Sequence, residues 1–278
     1  YSMFEIFVEW FHRMLVGIIA VPILVNVFVA HRKKKKYGDE LRNLSVASAV
    51  LLVVQAIVGA VTVYFDNADW TVALHLSLAS IFTSLLIWQY MSMRVTEGCD
   101  WKFLGASKAF IDKQKKRFIG ITSSVFILLI LGAWVSSTAG GQYNQGCSVG
   151  FPNGWPKCQG SFLPSIDGPG ILVQMLHRFG AGIVGVILIL NAARVRVDSR
   201  DFNEGEGFSK AAEVVTGLWI LNVFVGGMYI VFANANEFPE SFSLLHLVFG
   251  VASFIAAATT LMMLRLAHLE QPDRTEEE

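Results

Sequence analysis

The sequence predicts an all-α polytopic membrane protein with seven transmembrane helices arranged as two pseudo-repeated helix bundles. Three observations carry this. Of 278 residues, 54% are hydrophobic and only 16% charged. The apolar residues gather into runs near the ~20 residues that cross a hydrocarbon core of roughly 30 Å. The two halves of the chain also repeat each other. The runs lie at about 10–30, 44–65, 71–93, 118–138, 171–193, 211–232 and 243–266. The longest connectors, 94–117 and 139–170, are too short to enclose a core of their own, so no soluble domain is expected.

Lys plus Arg and Asp plus Glu are 22 each, so the formal charge is zero, but its placement is uneven. Basic residues crowd the 31–43 loop (Arg32, Lys33, Lys34, Lys35, Lys36 and Arg42), the 94–117 loop and the 194–210 loop. Loops 66–70 and 233–242 have none, and 139–170 has only Lys157. Positive loops stay on the cytoplasmic side, which places the N-terminus outside and the C-terminal tail inside. The lysine run reads as a topology determinant, not a nucleic-acid patch. Cys147 and Cys158 share one outer loop in an oxidising compartment, so a disulfide is the natural reading. Cys99, on the cytoplasmic side, reads as a bystander thiol.

The repeat aligns 9–17 with 174–182, then Gln55, Gly59 and Phe65 with Asn222, Gly226 and Phe232, and finally His75 with His246. The spacing changes only in loops, where insertions are tolerated. Both copies cross the membrane in the same sense, as in a parallel repeat. The second copy is preceded by the 118–138 span and the cysteine loop, the first by nothing comparable. The expectation is a four-plus-four protein whose first helix is absent from this sequence, a cleaved signal peptide being the other account of a chain opening on Tyr1. This divides the chain into an N-terminal half-bundle (1–95), a cytoplasmic linker (96–117) and a C-terminal four-helix bundle (118–278).

Four histidines, His12, His75, His177 and His246, sit just inside the outer ends of apolar segments, at repeat-equivalent positions. A lone histidine there is ordinarily an interfacial residue. Four in register, on four helices, point instead to a bound cofactor, because an ionisable ring at membrane depth is costly unless it binds something. Two histidines on different helices suit axial ligation of a haem iron from both sides. Ala79 and Gly250, one turn after His75 and His246, leave room for a flat macrocycle. Gly17 and Gly182 recur five residues after the other two ligands, although small residues also mark plain helix packing.

Arg13 and Arg178 directly follow His12 and His177. Guanidinium suits bidentate pairing with carboxylate, so they are candidates for propionate binding; an interfacial anchor is the alternative. Glu9 and His12 share a helix face, whereas the second copy has Gln174 and His177. A carboxylate accepts protons and an amide does not, so one site is read as doing chemistry and the other as holding a cofactor. The competing account leaves Glu9 solvated or paired with Arg13. Gln55 and Asn222 read as hydrogen-bonding glue between helices. His31 and His268 read as solvated bystanders.

The stretch Glu9-Trp10-Phe11-His12-Arg13, Leu176-His177-Arg178, His75, His246 and the outer loop from Gly146-Cys147 through Asn153-Gly154-Trp155-Pro156-Lys157-Cys158-Gln159-Gly160 resemble the heme A synthase family over essentially the whole chain. The resemblance implies two four-helix bundles, with heme b on His177 and His246. Heme O would be received by His12 and His75 as substrate, its ring methyl oxidised to the formyl group of heme A, with Glu9 as functional acid. Heme O synthase and terminal-oxidase assembly factors are the implied partners. The implied location is the plasma membrane of a bacterium or archaeon, with the haem sites near the outer face. Family members commonly carry a further cysteine pair in the first outer loop, which this sequence lacks; Cys147 and Cys158 match the second pair.

Two other functions compete. A bis-histidine membrane cytochrome b needs haems near both faces to relay electrons across, yet all four histidines lie near one face. A non-catalytic haem-binding or delivery protein fits the ligands, and the Glu9/Gln174 difference argues mildly against it. Non-haem metal transport would call for more carboxylates within the spans. An oligomer is compatible with the sequence, and nothing in it points to nucleic acid.

Overall fold

The computed structural model describes residues 3–99, 101–136, 146–234 and 238–269. Among these, seven helices follow one another: α1 (Met3–Arg32), α2 (Lys34–Tyr64), α3 (Asp69–Thr96), α4 (Lys108–Ser136), α5 (Pro169–Phe202), α6 (Glu206–Val231) and α7 (Glu240–Leu266). Each is long and apolar enough to cross a membrane. Within the lipid only helices and closed barrels satisfy every backbone group, so the apolar runs have little choice. The chain is an all-helical, multi-pass membrane protein.

One connector differs from expectation. Residues 31–43 were expected to form a loop, but helix resumes at Lys34 after the single residue Lys33, and the only other non-helical residue before Tyr64 is Gly38 (φ 76°). Lys, Arg and Glu are good helix formers, so most of this segment is helical and the positive φ falls on the one residue free to adopt it.

The helices pack as a ring and an arc. In the C-terminal half α4 touches α5, α5 touches α6, α6 touches α7, and α7 returns to α4. In the N-terminal half α1 touches α2 and α2 touches α3, while α3 also packs on α4 and α7. Among the described helices α1 therefore rests on α2 alone, and its remaining surface is apolar and exposed.

A first core, at the end of the bundle away from the cysteine loop, joins Phe103 and Leu104 of the connector to Phe110, Phe118, Val195, Phe208 and Leu264. Gly205 (φ 76°) closes the turn there, and a Cβ on it would run into the Phe110 ring. Asp198 on α5 staples this end to α4, accepting from Lys113 (2.7 Å), Arg117 (2.6 Å) and Gln114 (2.8 Å). A second core fills the middle of the ring with Val125, Leu128, Val184, Leu188, Trp219, Phe254 and Ala257, and Leu76 of α3 packs against it.

Candidate functional site

Above the second core, the ring encloses a cavity. Leu128, Leu129 and Gly132 (α4), Gln174, His177 and Arg178 (α5), Asn222, Gly226 and Gly227 (α6), and His246 and Gly250 (α7) line it, with Trp155 of the outer loop at the rim. The two histidines face each other with ring centres 6.2 Å apart and planes at 89°.

Their seating depends on glycine. A Cβ on Gly226 would stand 2.7–3.3 Å from three atoms of the His246 ring, and one on Gly132 would stand 3.0 Å from His177 Cε1. With no side chain at Gly226, the His246 ring lies against α6, and its Nδ1 comes 3.0 Å from the Asn222 carbonyl oxygen. A carbonyl only accepts, so Nδ1 carries the proton and Nε2 keeps its lone pair. Metal-binding histidines are habitually oriented in this way.

The residues fit a haem held between two imidazoles. Two metal–nitrogen bonds of about 2 Å each, plus the reach from each nitrogen to its ring centre, account for the 6.2 Å separation. His177 Nδ1 and Asn222 Oδ1 are buried and lack a hydrogen-bond partner among the described residues, as groups awaiting a ligand would. No group of three or more His, Cys, Asp or Glu side chains that could hold a metal ion gathers among those residues.

The cysteine loop between α4 and α5 packs over the cavity. Cys147 and Cys158 form the expected disulfide, with Cα atoms 4.9 Å apart. Gly150 N–H donates to the Ile230 carbonyl (3.0 Å), and a Cβ on Gly227 would stand 2.8 Å from the Trp155 indole. Arg178 reaches out from α5 to donate to the carbonyls of Gly154 (2.6 Å) and Lys157 (2.9 Å), and to Gln174 Oε1 (3.3 Å). The guanidinium expected to bind a propionate thus spends these donors pinning the loop over the cavity it lines.

The N-terminal half repeats part of this arrangement. His75 on α3 lies against Gly59 of α2, where a Cβ would stand 3.0 Å from its Cε1. Gln55 bridges the same helices, its amide nitrogen 2.9 Å from the His75 carbonyl oxygen and 3.1 Å from Nδ1. The expected glue role is thus real, and it acts through the histidine. His12 on α1 is exposed. Glu9 pairs with Arg13 at 2.5 Å, as the competing account has it. Gln174 and Arg178 form the corresponding pair in the other half.

A Cβ added to Gly17 or Gly182 would meet nothing within 4 Å, so neither glycine is required by a neighbouring helix. Gly132 carried no sequence signal, because its use depends on the height at which α4 crosses α5. His31 and His268 are exposed as expected, and the Cys99 thiol accepts from the Arg94 guanidinium, at 3.8 Å.

The sequence profile of the cytochrome oxidase assembly protein family matches residues 2–258. The chain is 24% identical to the heme A synthase of Geobacillus thermodenitrificans over 96% of its own length and 78% of the relative's. It is 26% identical to that of Exiguobacterium sibiricum (91% and 77%) and 27% identical to that of Shouchella clausii (67% and 58%). With the match running through all four histidines, this chain belongs to the cytochrome oxidase assembly protein family.

Proposed function

We propose that this protein is a heme A synthase, an oxidoreductase that converts the ring methyl of heme O into the formyl group of heme A. The observation that carries the reading is the facing pair His177 and His246, 6.2 Å apart in a glycine-lined cavity, in a chain whose relatives bear that activity. In this reading heme b is resident on His177 and His246, and heme O is received by His12 and His75. When bound, the b-type haem supplies a one-electron relay at the outer face. The protein's own groups do the rest. Asn222 fixes the His246 tautomer, Arg178 holds the loop that shields the cavity, and Glu9, paired with Arg13, accepts protons released as the methyl group is oxidised. The plasma membrane, with basic loops and C-terminus inside, is the location that charge placement supports. Heme O synthase and oxidase assembly factors are the partners that such a product requires.

The test is purification of the intact protein, followed by pyridine hemochrome spectra and haem extraction. Heme b together with heme O or heme A is expected. Two equivalents of heme b alone would replace this reading with that of a bis-histidine cytochrome, which the His177–His246 geometry suits equally well. A colourless protein, even after haem supplementation, would remove both.

A further inference from the structure

The cysteine loop is built inside out. Between Gly146 and Gly168 it carries two charged residues, Lys157 and Asp167, and its polar groups bond to its own backbone. Ser148 Oγ donates to the Asn153 carbonyl (2.7 Å) and accepts from the Gln159 N–H (3.0 Å), while Gln159 Nε2 donates to the Gly146 carbonyl (2.8 Å). Cys158 and Ser161 exchange N–H···O bonds of 2.9 and 3.1 Å, and Arg178 serves Gly154 and Lys157. The large apolar side chains face out instead: Phe151, Phe162, Leu163 and Ile166 are 58–77% exposed.

The loop also lies below the helix ends. Arg178, which holds it, stands nine residues after Pro169, about 13 Å along the axis of α5. Trp155 packs on Gly227, four residues before α6 ends. Gly150 bonds the Ile230 carbonyl, which brings the backbone at Phe151 to the end of α6, where Phe232 stacks on Phe242 (5.5 Å). The turn between α2 and α3 carries a matching cluster, with Phe65 between Tyr64 (5.2 Å) and Trp70 (5.4 Å). Aromatic rings gather in this way at a membrane–water interface, so the loop stands at the level of that belt and continues the lipid-facing surface of the helices.

We propose that the cysteine loop is seated in the headgroup–acyl boundary of the leaflet on the cavity side, with Phe151, Phe162, Leu163 and Ile166 in contact with phospholipid. Irregular backbone is tolerated at membrane depth only where protein meets its hydrogen bonds, and this loop meets them internally. Four large apolar side chains more than half exposed on one loop are a costly aqueous surface and a fitting one for this boundary. Lys157, its ammonium 5.7 Å from the Phe162 ring centre, can lay its stem along that surface and carry its charge to a lipid phosphate. The cavity is then shielded from water by two layers, the loop and the lipid around it, whatever group it holds.

The experiment places nitroxide labels on the full chain in nanodiscs of phosphatidylethanolamine and phosphatidylglycerol. Phe162→Cys, Leu163→Cys and Ile166→Cys are made in a Cys99→Ser background, with the Cys147–Cys158 bond checked by mass spectrometry after labelling. Val186→Cys, exposed in the middle of α5, is the lipid reference, and Lys35→Cys, exposed between α1 and Gly38, the aqueous one. Spin relaxation at the loop positions is expected to respond to oxygen and to lose its response to a water-soluble nickel chelate, as at Val186. A nickel response like that at Lys35 places the loop in water and overturns the proposal. Loss of both responses with an immobilised spectrum means that protein covers the patch, a second copy or another partner, and overturns it equally. Any two of the three positions decide the matter, so one substitution that disturbs the loop leaves the test intact.

Discussion

Asn222 and Gln55 differ by one methylene, and that difference decides which atom meets the neighbouring histidine. The shorter Asn222 turns toward Gly250, 3.5 Å from where a Cβ would be, and leaves its backbone carbonyl to His246. The longer Gln55 reaches the ring itself. The glycines beneath the rings matter in the same way. Gly226→Ala would place a methyl group 2.7 Å from His246 Cε1, tilting the ring off the Asn222 carbonyl. Haem retention at that site should fall about 10–100-fold, measured as pyridine hemochrome per protein. Glu9→Gln should leave haem content unchanged while slowing heme A formation about 100-fold or more; normal heme A output would remove Glu9 from the chemistry. At this scale the histidines were legible because polar rings stand out in apolar runs. The glycines were not, because glycine is common wherever membrane helices touch.

Among the elements, the cysteine loop depends on α5 for its anchorage. Arg178 sits one residue from His177 and ties down two loop carbonyls, one of them on the buried Gly154. Arg178→Ala removes charge-assisted bonds worth about 2 kcal/mol and leaves those carbonyls without their donor. A lower melting temperature is expected, together with faster tryptic cleavage after Lys157. A loop as resistant as the parent's would show that Arg178 is free for another task. The sequence made Arg178 conspicuous but could not reveal this use, since the partners are backbone atoms placed by the folded loop. The α1–α2 connection was similarly opaque. Its charge predicted the side of the membrane, while helix propensity around Gly38 determined that most of it is helical.

Across the whole molecule the seven spans could be read from apolar length alone, because lipid leaves a polar backbone few alternatives. Which helices neighbour each other could not, since outward-facing and partner-facing sides are both apolar. The arrangement makes α3 a wall common to both halves. It carries His75, and the very next residue, Leu76, packs into the core beneath His177 and His246. On the proposed reading, α3 would couple the two haem sites through these neighbouring residues. Filling one should alter the reduction midpoint of the other by an amount equivalent to about 1 kcal/mol, readable by spectroelectrochemistry. Leu76→Ala should silence that cross-talk while both chromophores remain in place.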